Sequence, residues 1–191
     1  MPNRRGLHGT DADRIESHAK ANGWDVIQVR HGRRRLEAFK LPGGERFQDV
    51  LENHISDYEL QMHLLYRNMP ETRALLLERD PGCAPLLDAV DDRELEDLLT
   101  DLGGHDTEVL VEALLRSKFE TESPTMLVVH TVKGWGLNMY AAPGNHSELP
   151  KEEEVHALLT EEGLEVDRPF APFSDDTEEG KYLQRQGQSL R

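Results

Sequence analysis

The run Val129-His130-Thr131-Val132-Lys133-Gly134-Trp135-Gly136 concentrates the residue types most able to do chemistry in this sequence. An apolar strand ending in His130-Thr131 would deliver an imidazole and a hydroxyl to the carboxyl edge of a parallel sheet, where ligands bind in α/β folds. Lys133 follows, beside two glycines. Glycine has no Cβ to hold the backbone away, so amide groups and one ammonium can approach an anion such as a diphosphate there. A tight strand-exit turn with a solvated lysine fits the same spacing.

Other local clusters carry less. His105-Asp106 reads as a helix-start turn in which Asp106 caps a helix from Thr107. His54 with Asp57, and Tyr58 and Glu59 with His63, fall on neighbouring helical turns. No H-E-x-x-H or comparable ligand set accompanies them, so they read as a satisfied or solvated helix face. No G-x-S-x-G, phosphate-loop or dinucleotide fingerprint occurs. The single cysteine, Cys83, allows no internal disulfide and reads as a small loop residue beside Pro81-Gly82.

These residues sit in a chain of 191, one domain's length, with a net charge of −15, 37% hydrophobic and 31% charged residues. About 70% of the unfolded surface can be buried at this size. The apolar share is lean for that, which fits one compact region with polar extensions. The acidic excess repels a phosphate backbone, so nucleic acid is not expected as a partner despite the run Arg30, Arg33, Arg34, Arg35. No stretch approaches about 18 consecutive apolar residues, and Met1-Pro2-Asn3-Arg4-Arg5 lacks a signal-peptide core, so the expectation is a cytoplasmic protein with no membrane contact.

Helical spacing of Ala12, Ile15 and Ala19 predicts a helix over 11–22, capped by Thr10 and stopped by Asn22-Gly23, then a β-branched strand over 24–30. The recurrence of Phe47, Val50, Leu51, Ile55, Tyr58, Leu60 and Leu64 predicts one long helix over 45–67. Shorter helices are expected over 71–79 and 84–102, the second ending on Gly103-Gly104 as a left-handed cap. Together they look like an insertion between core strands. A helix over 107–118, with Val109, Leu110, Ala113 and Leu114 inward, leads to the best strand, 124–130, whose apolar run fits a parallel strand covered on both faces. From 148 to 179 twelve carboxylates face only Lys151 and Arg168, with one helix expected over 150–162 and the remainder extended or mobile.

Four blocks in order carry a family resemblance. His130-Thr131-Val132-Lys133-Gly134-Trp135-Gly136 resembles the H-T-x-K-G-[YW]-G segment of the homodimeric pyruvate dehydrogenases, the acetyl-transferring, thiamine diphosphate-dependent family. Asn22-Gly23-Trp24-Asp25-Val26-Ile27-Gln28-Val29 resembles its G-W-[ND]-V-I-x-V strand, Gly103-Gly104-His105-Asp106 its G-G-H-D turn, and Lys181-Tyr182-Leu183-Gln184-Arg185-Gln186 its Y-L-x-x-[RQ] segment. Transketolases share weaker versions of the first three. The resemblance implies an α/β fold, part of a three-layer parallel-sheet thiamine diphosphate-binding domain with a helical insertion at about 45–102. Residues 1–147 would be the C-terminal part of that domain, and 148–191 an acidic helix and exit segment.

Position by position, the resemblance makes Lys133 and His130 cofactor-binding, with Lys133 at the diphosphate end. His146 sits where the family has a mobile loop with an active-site histidine, a match that needs a gap. A neutral imidazole there could move a proton during carbonyl addition, and a surface histidine in a Pro/Gly loop is the alternative. Magnesium in this family is held by a Gly-Asp-Gly turn and an asparagine about 30 residues later, hard oxygen ligands for a hard cation. The sequence has no Gly-Asp-Gly. Asn3, six residues before Gly9, matches the asparagine's interval and is the candidate metal ligand, or else a frayed terminal residue.

On this resemblance the chain reads as a segment beginning just after the first half of the metal motif, without the pyrimidine-binding domain. It would be inactive alone and would need the remaining enzyme domains or a complementary chain. Thiamine diphosphate and magnesium would bind only in the complete enzyme. That enzyme would decarboxylate pyruvate, a small 2-oxo acid, oxidatively and pass the acetyl group to a lipoyl-bearing partner, working as a homodimer. Ketol transfer of the transketolase kind, or a non-catalytic partner subunit that keeps the domain core, are the alternatives.

Overall fold

The computed structural model describes residues 9–119, 122–142 and 144–190; Asn3 lies outside the described residues. The chain divides into two compact units. The first runs to Trp135 and resumes over Met139–Ser147; the second comprises Gly136–Asn138 and the residues from Glu148 onward.

In the first unit, helix α1 spans Gly9–Ala21. Thr10 is already helical and is therefore not its N-cap. The helix stops where Gly23, at φ 81°, takes the left-handed conformation that glycine adopts without steric cost. Strand β1 follows over Asp25–Val29, then the short helices α2 (Arg33–Ala38) and α3 (Gly44–Asp49).

The long helix expected over 45–67 is broken. After α3 the chain widens into a π-turn over Val50–His54, leaves helical geometry at Ile55, and restarts as α4 over Asp57–Tyr66. Ser56 and Glu59 cause the restart: the Ser56 hydroxyl accepts the Glu59 N–H at 3.2 Å while the Glu59 carboxylate accepts the Ser56 N–H at 3.0 Å. This reciprocal cap satisfies two of the donors that a helix start leaves open. The same device splits the helix expected over 84–102. Helix α5 (Met69–Arg79) is followed by α6 (Ala84–Ala89), and Asp91 with Glu94 forms a second capping box that starts α7 (Asp92–Thr100). Apolar periodicity carried across both breaks because the inward face is kept on either side.

These helices hold most of the buried apolar side chains. Phe47, Val50, Leu76, Leu86, Leu95 and Leu99 are all buried in one cluster. Cys83 is fully buried with them rather than lying in an open loop, and burial pushes its thiol up to about 11. Tyr58 faces solvent instead of the core.

Helix α8 spans Thr107–Phe119 and strand β2 spans Thr125–Val129. Strands β1 and β2 pair in parallel, Ile27 opposite Leu127 and Val29 opposite Val129. The parallel pairing agrees with the apolar run; full coverage does not. Residues Thr125–Val128 are half-buried and Val129 is 40% exposed. One smaller cluster, Ile27, Val29 and Ala113 with Val109 and Leu110, packs β1 beneath α8. Leu114 points outward, half exposed.

Each arginine of the basic run finds a local use. Arg30 pairs with Asp13 and Arg34 with Asp97, each at 2.6 Å, and Arg33 pairs with Asp106 at 3.1 Å. Arg35 is buried, and its guanidinium donates to the carbonyls of Leu98 and Leu99 at 2.5 and 2.6 Å, closing the C-terminal end of α7.

The second unit contains α9 (Glu152–Glu161) and α10 (Glu178–Ser189). Helix α10 takes in part of the stretch expected to be extended or mobile and carries the Lys181–Gln186 block. Thr177 caps it, its hydroxyl accepting the Gly180 N–H at 3.1 Å. Among the described residues no helix is long and apolar enough to cross a membrane.

Candidate functional site

The turn after α7 organises the exits of both strands. Gly103 donates its N–H to the Arg30 carbonyl at 3.1 Å, and Gly104 donates to the His130 carbonyl at 2.9 Å. Neither glycine has positive φ, so the left-handed cap expected here does not form. Their role is closeness. A Cβ on Gly103 would lie 2.7 Å from the Val29 carbonyl oxygen, and one on Gly104 would lie 2.4 Å from the Thr131 methyl and 2.6 Å from the His130 carbonyl oxygen.

The next two residues lock this turn in place. Asp106 caps α8 as expected, accepting the Glu108 and Val109 N–H groups at 3.1 and 3.3 Å. His105 accepts the Val132 N–H on Nε2 at 2.9 Å and stacks on Trp135, ring centroids 4.6 Å apart and 6° from parallel. An accepting Nε2 carries no proton. Burial lowers the imidazole's pKa, which favours that neutral form.

The segment after β2 folds back over α4. Lys133 presents its carbonyl to the Ala141 N–H at 3.3 Å and to the Asn145 amide at 3.1 Å. Gln61 of α4 donates to the Ala141 carbonyl at 2.8 Å. Ala141 is buried at φ 59°, a left-handed conformation that an alanine holds only under such constraint.

Between this segment, α4 and the end of β2 lies a cleft of about 530 Å³, within the usual range for small-molecule sites. His130, Lys133 and His146 all line it, so the tertiary structure brings together the three candidates that fall within the described residues. His130 is half-buried, its Nε2 3.0 Å from the Gln28 side-chain oxygen; Lys133 and His146 are exposed. The ammonium of Lys133 has no hydrogen bond or ion pair among the described residues. Among the described residues no aspartate or glutamate lines the cleft. In a chain of net charge −15 this is a local cationic island, which suits an anion.

Gln61 and Asn145 also line the cleft and were not legible beforehand. The only sequence signal was a polar residue inside an apolar helical repeat for Gln61, and none for Asn145.

A family profile described as "Transketolase, thiamine diphosphate binding domain" matches residues 96–191, just over half of the chain and inclusive of the Gly103–His105 turn, β2 and Lys133. The chain belongs to this thiamine diphosphate-binding domain family. It is 27% identical over 189 residues to the pyruvate dehydrogenase E1 component of Corynebacterium glutamicum, covering 92% of this chain and 20% of that protein. It is 23% identical over 193 residues to the pyruvate dehydrogenase E1 component of Escherichia coli, covering 96% of this chain and 21% of that protein. The chain thus spans about a fifth of the length of these curated relatives.

For a transketolase-type domain the cleft fits one end of the cofactor. Lys133 and the glycine-flanked backbone suit a diphosphate, and the apolar lining from Leu60, Leu64 and Leu99 suits uncharged parts of a ligand. Magnesium is different. It needs oxygen ligands, and among the described residues no group of three or more His, Cys, Asp or Glu side chains is placed to hold a metal.

Proposed function

We propose that this chain forms the diphosphate-binding edge of a thiamine diphosphate-dependent enzyme of the pyruvate dehydrogenase E1 kind, with residues 1–147 as the C-terminal part of the cofactor domain and 148–191 as its acidic exit segment. The observation that carries the reading is the Lys133 ammonium at the exit of β2, unpaired and in a cleft without carboxylates among the described residues. Lys133 neutralises and orients the diphosphate, and His130, tied to Gln28, closes the strand end beside it. His146 faces the same cleft and moves a proton to or from the reacting carbonyl group. Bound thiamine diphosphate would supply the electron sink for decarboxylating a 2-oxo acid.

Magnesium enters this reading only with ligands from beyond the described residues: Asn3, and carboxylates contributed by further protein. Oxidative decarboxylation of pyruvate with acetyl transfer to a lipoyl-bearing partner is then the property of a cytoplasmic, homodimeric assembly larger than this chain. Ketol transfer would use the same diphosphate edge with a different acceptor. The carboxylate-free cleft also suits a non-catalytic subunit that retains the domain core.

Phosphorus NMR of thiamine diphosphate titrated with the full chain tests the assignment. Against the expectation that the cofactor binds only in the complete enzyme, the cleft by itself should give weak saturable binding, Kd on the order of 1 mM, as one ammonium and a few amides supply, lost in Lys133→Ala and little changed by magnesium chloride. Equal binding by Lys133→Ala removes Lys133 from the site.

A further inference from the structure

The loop that carries Lys133 is held at its base by one residue from a different part of the chain. His105 lies 27 positions before Val132, yet it touches the loop twice, through the Val132 N–H and through the face of Trp135. Gly104, one residue earlier, is pressed against the His130 carbonyl and Thr131, so the imidazole has little freedom to withdraw. Trp135 is itself 53% exposed, and the face of its indole that is covered lies on His105.

We propose that His105 is the positioning residue of the Lys133 loop: as a neutral imidazole protonated on Nδ1 it fixes Val132 and Trp135 on either side of Lys133, and its protonation releases them. The inference rests on the reading of Lys133 as a diphosphate ligand. An imidazolium has no lone pair on Nε2, so protonation converts an accepted hydrogen bond into two donors facing each other. The interaction therefore has a direction in pH. Since burial depresses the folded pKa, the bonded form is fully present above the ordinary histidine value of 6.5 and is lost as pH falls through the lowered value.

Charged groups on the neighbouring elements are already engaged or lie at the loop itself. Asp106 is taken by Arg33 and the start of α8, and Arg30 by Asp13. His130 is bonded to Gln28, and Lys133 stands one residue beyond Val132. None of these supplies a carboxylate that would stabilise an imidazolium at position 105, so burial sets the direction.

The test uses the full chain with Trp24→Phe, which leaves Trp135 as the sole indole. Titrated from pH 8 to 4.5, its emission should show a step with midpoint below 6.5. The step should vanish when His105→Ala is added, and the Val132 amide should lose protection from hydrogen exchange at pH 7. His105→Gln, which keeps an acceptor, should restore that protection without the pH step. A step that survives His105→Ala, no step at all, or a Val132 amide equally protected in His105→Ala overturns the proposal. Thiamine diphosphate binding followed by phosphorus NMR should weaken roughly fivefold in His105→Ala, the effect of one lost loop hydrogen bond. Absence of binding by the parent chain would count against Lys133 as a diphosphate ligand, while the fluorescence and exchange results judge His105 separately.

Discussion

Arg33 and Asp106, 73 positions apart, meet beside the strand exits: the Asp106 carboxylate accepts the Arg33 backbone N–H at 2.8 Å and its guanidinium Nε at 3.1 Å. The same carboxylate caps α8. One side chain thus ties the start of α2 to the turn that carries Gly104 and His105, and through it to the base of the Lys133 loop.

Burial alone would raise the Asp106 carboxyl, but the Arg33 and Val109 N–H groups and the Arg33 guanidinium outweigh it and hold the pKa below the usual aspartate value. With the folded value lowered, the stabilisation is present above pH about 4 and lost as pH falls through the folded value. Asp106→Ala should lower stability at pH 7 by about 1 kcal/mol, the usual effect of a lost N-cap. Urea midpoints at pH 7 and pH 3 check this: the deficit should shrink at pH 3, and an equal deficit at both would refute the charge-based account.

Arg35 should be far less tolerant. Its removal leaves the Leu98 and Leu99 carbonyls without their donor inside a packed core. Arg35→Ala should cost about 3 kcal/mol, as breaking a buried charged hydrogen-bond set does. Arg35→Lys should recover only part, because an ammonium lacks the planar fork that reaches both carbonyls. Equal urea midpoints for Arg35→Lys and the parent would show that the charge alone suffices.

Gly104→Ala introduces a methyl group 2.4 Å from the Thr131 methyl and 2.6 Å from the His130 carbonyl oxygen. Overpacking of this kind costs about 1–3 kcal/mol, and relief requires the β2 exit to move. Thermal melting should show the loss, and the phosphorus NMR titration should show weaker binding of thiamine diphosphate. Unchanged melting would mean that the turn and the strand end are not in rigid contact.

Cys83 is fully buried, with a thiol pushed up to about 11 by desolvation. A neutral, enclosed thiol is a poor nucleophile. Its reaction with a disulfide reagent at pH 8 should therefore be slow and should accelerate with urea in parallel with unfolding. Rapid stoichiometric labelling of the native protein would place Cys83 on a locally opening segment instead.

Much of the local structure was legible because its causes are local. The stop at Gly23, the β-branched run of β1, the apolar run of β2 and the Asp106 cap each depend on neighbours within a few residues. Even the two helix breaks carry local signals, Ser56 with Glu59 and Asp91 with Glu94, although the apolar period runs on across both. Helix α10 was harder, since Tyr182 and Leu183 stay half exposed and leave no buried stripe to detect.

The sequence by itself determined two short strands, the second with an apolar run suited to a parallel sheet and a glycine-rich, lysine-bearing exit, and family motifs in order along the chain. Only the tertiary structure decided that His130, Lys133 and His146 share one cleft with Gln61 and Asn145, that Gly103 and Gly104 serve close approach rather than a helix cap, and that Arg35 is a core residue. Each of these depends on contacts between residues far apart in the chain. Such contacts follow from how helices and strands pack in three dimensions, and no spacing within a single element encodes them.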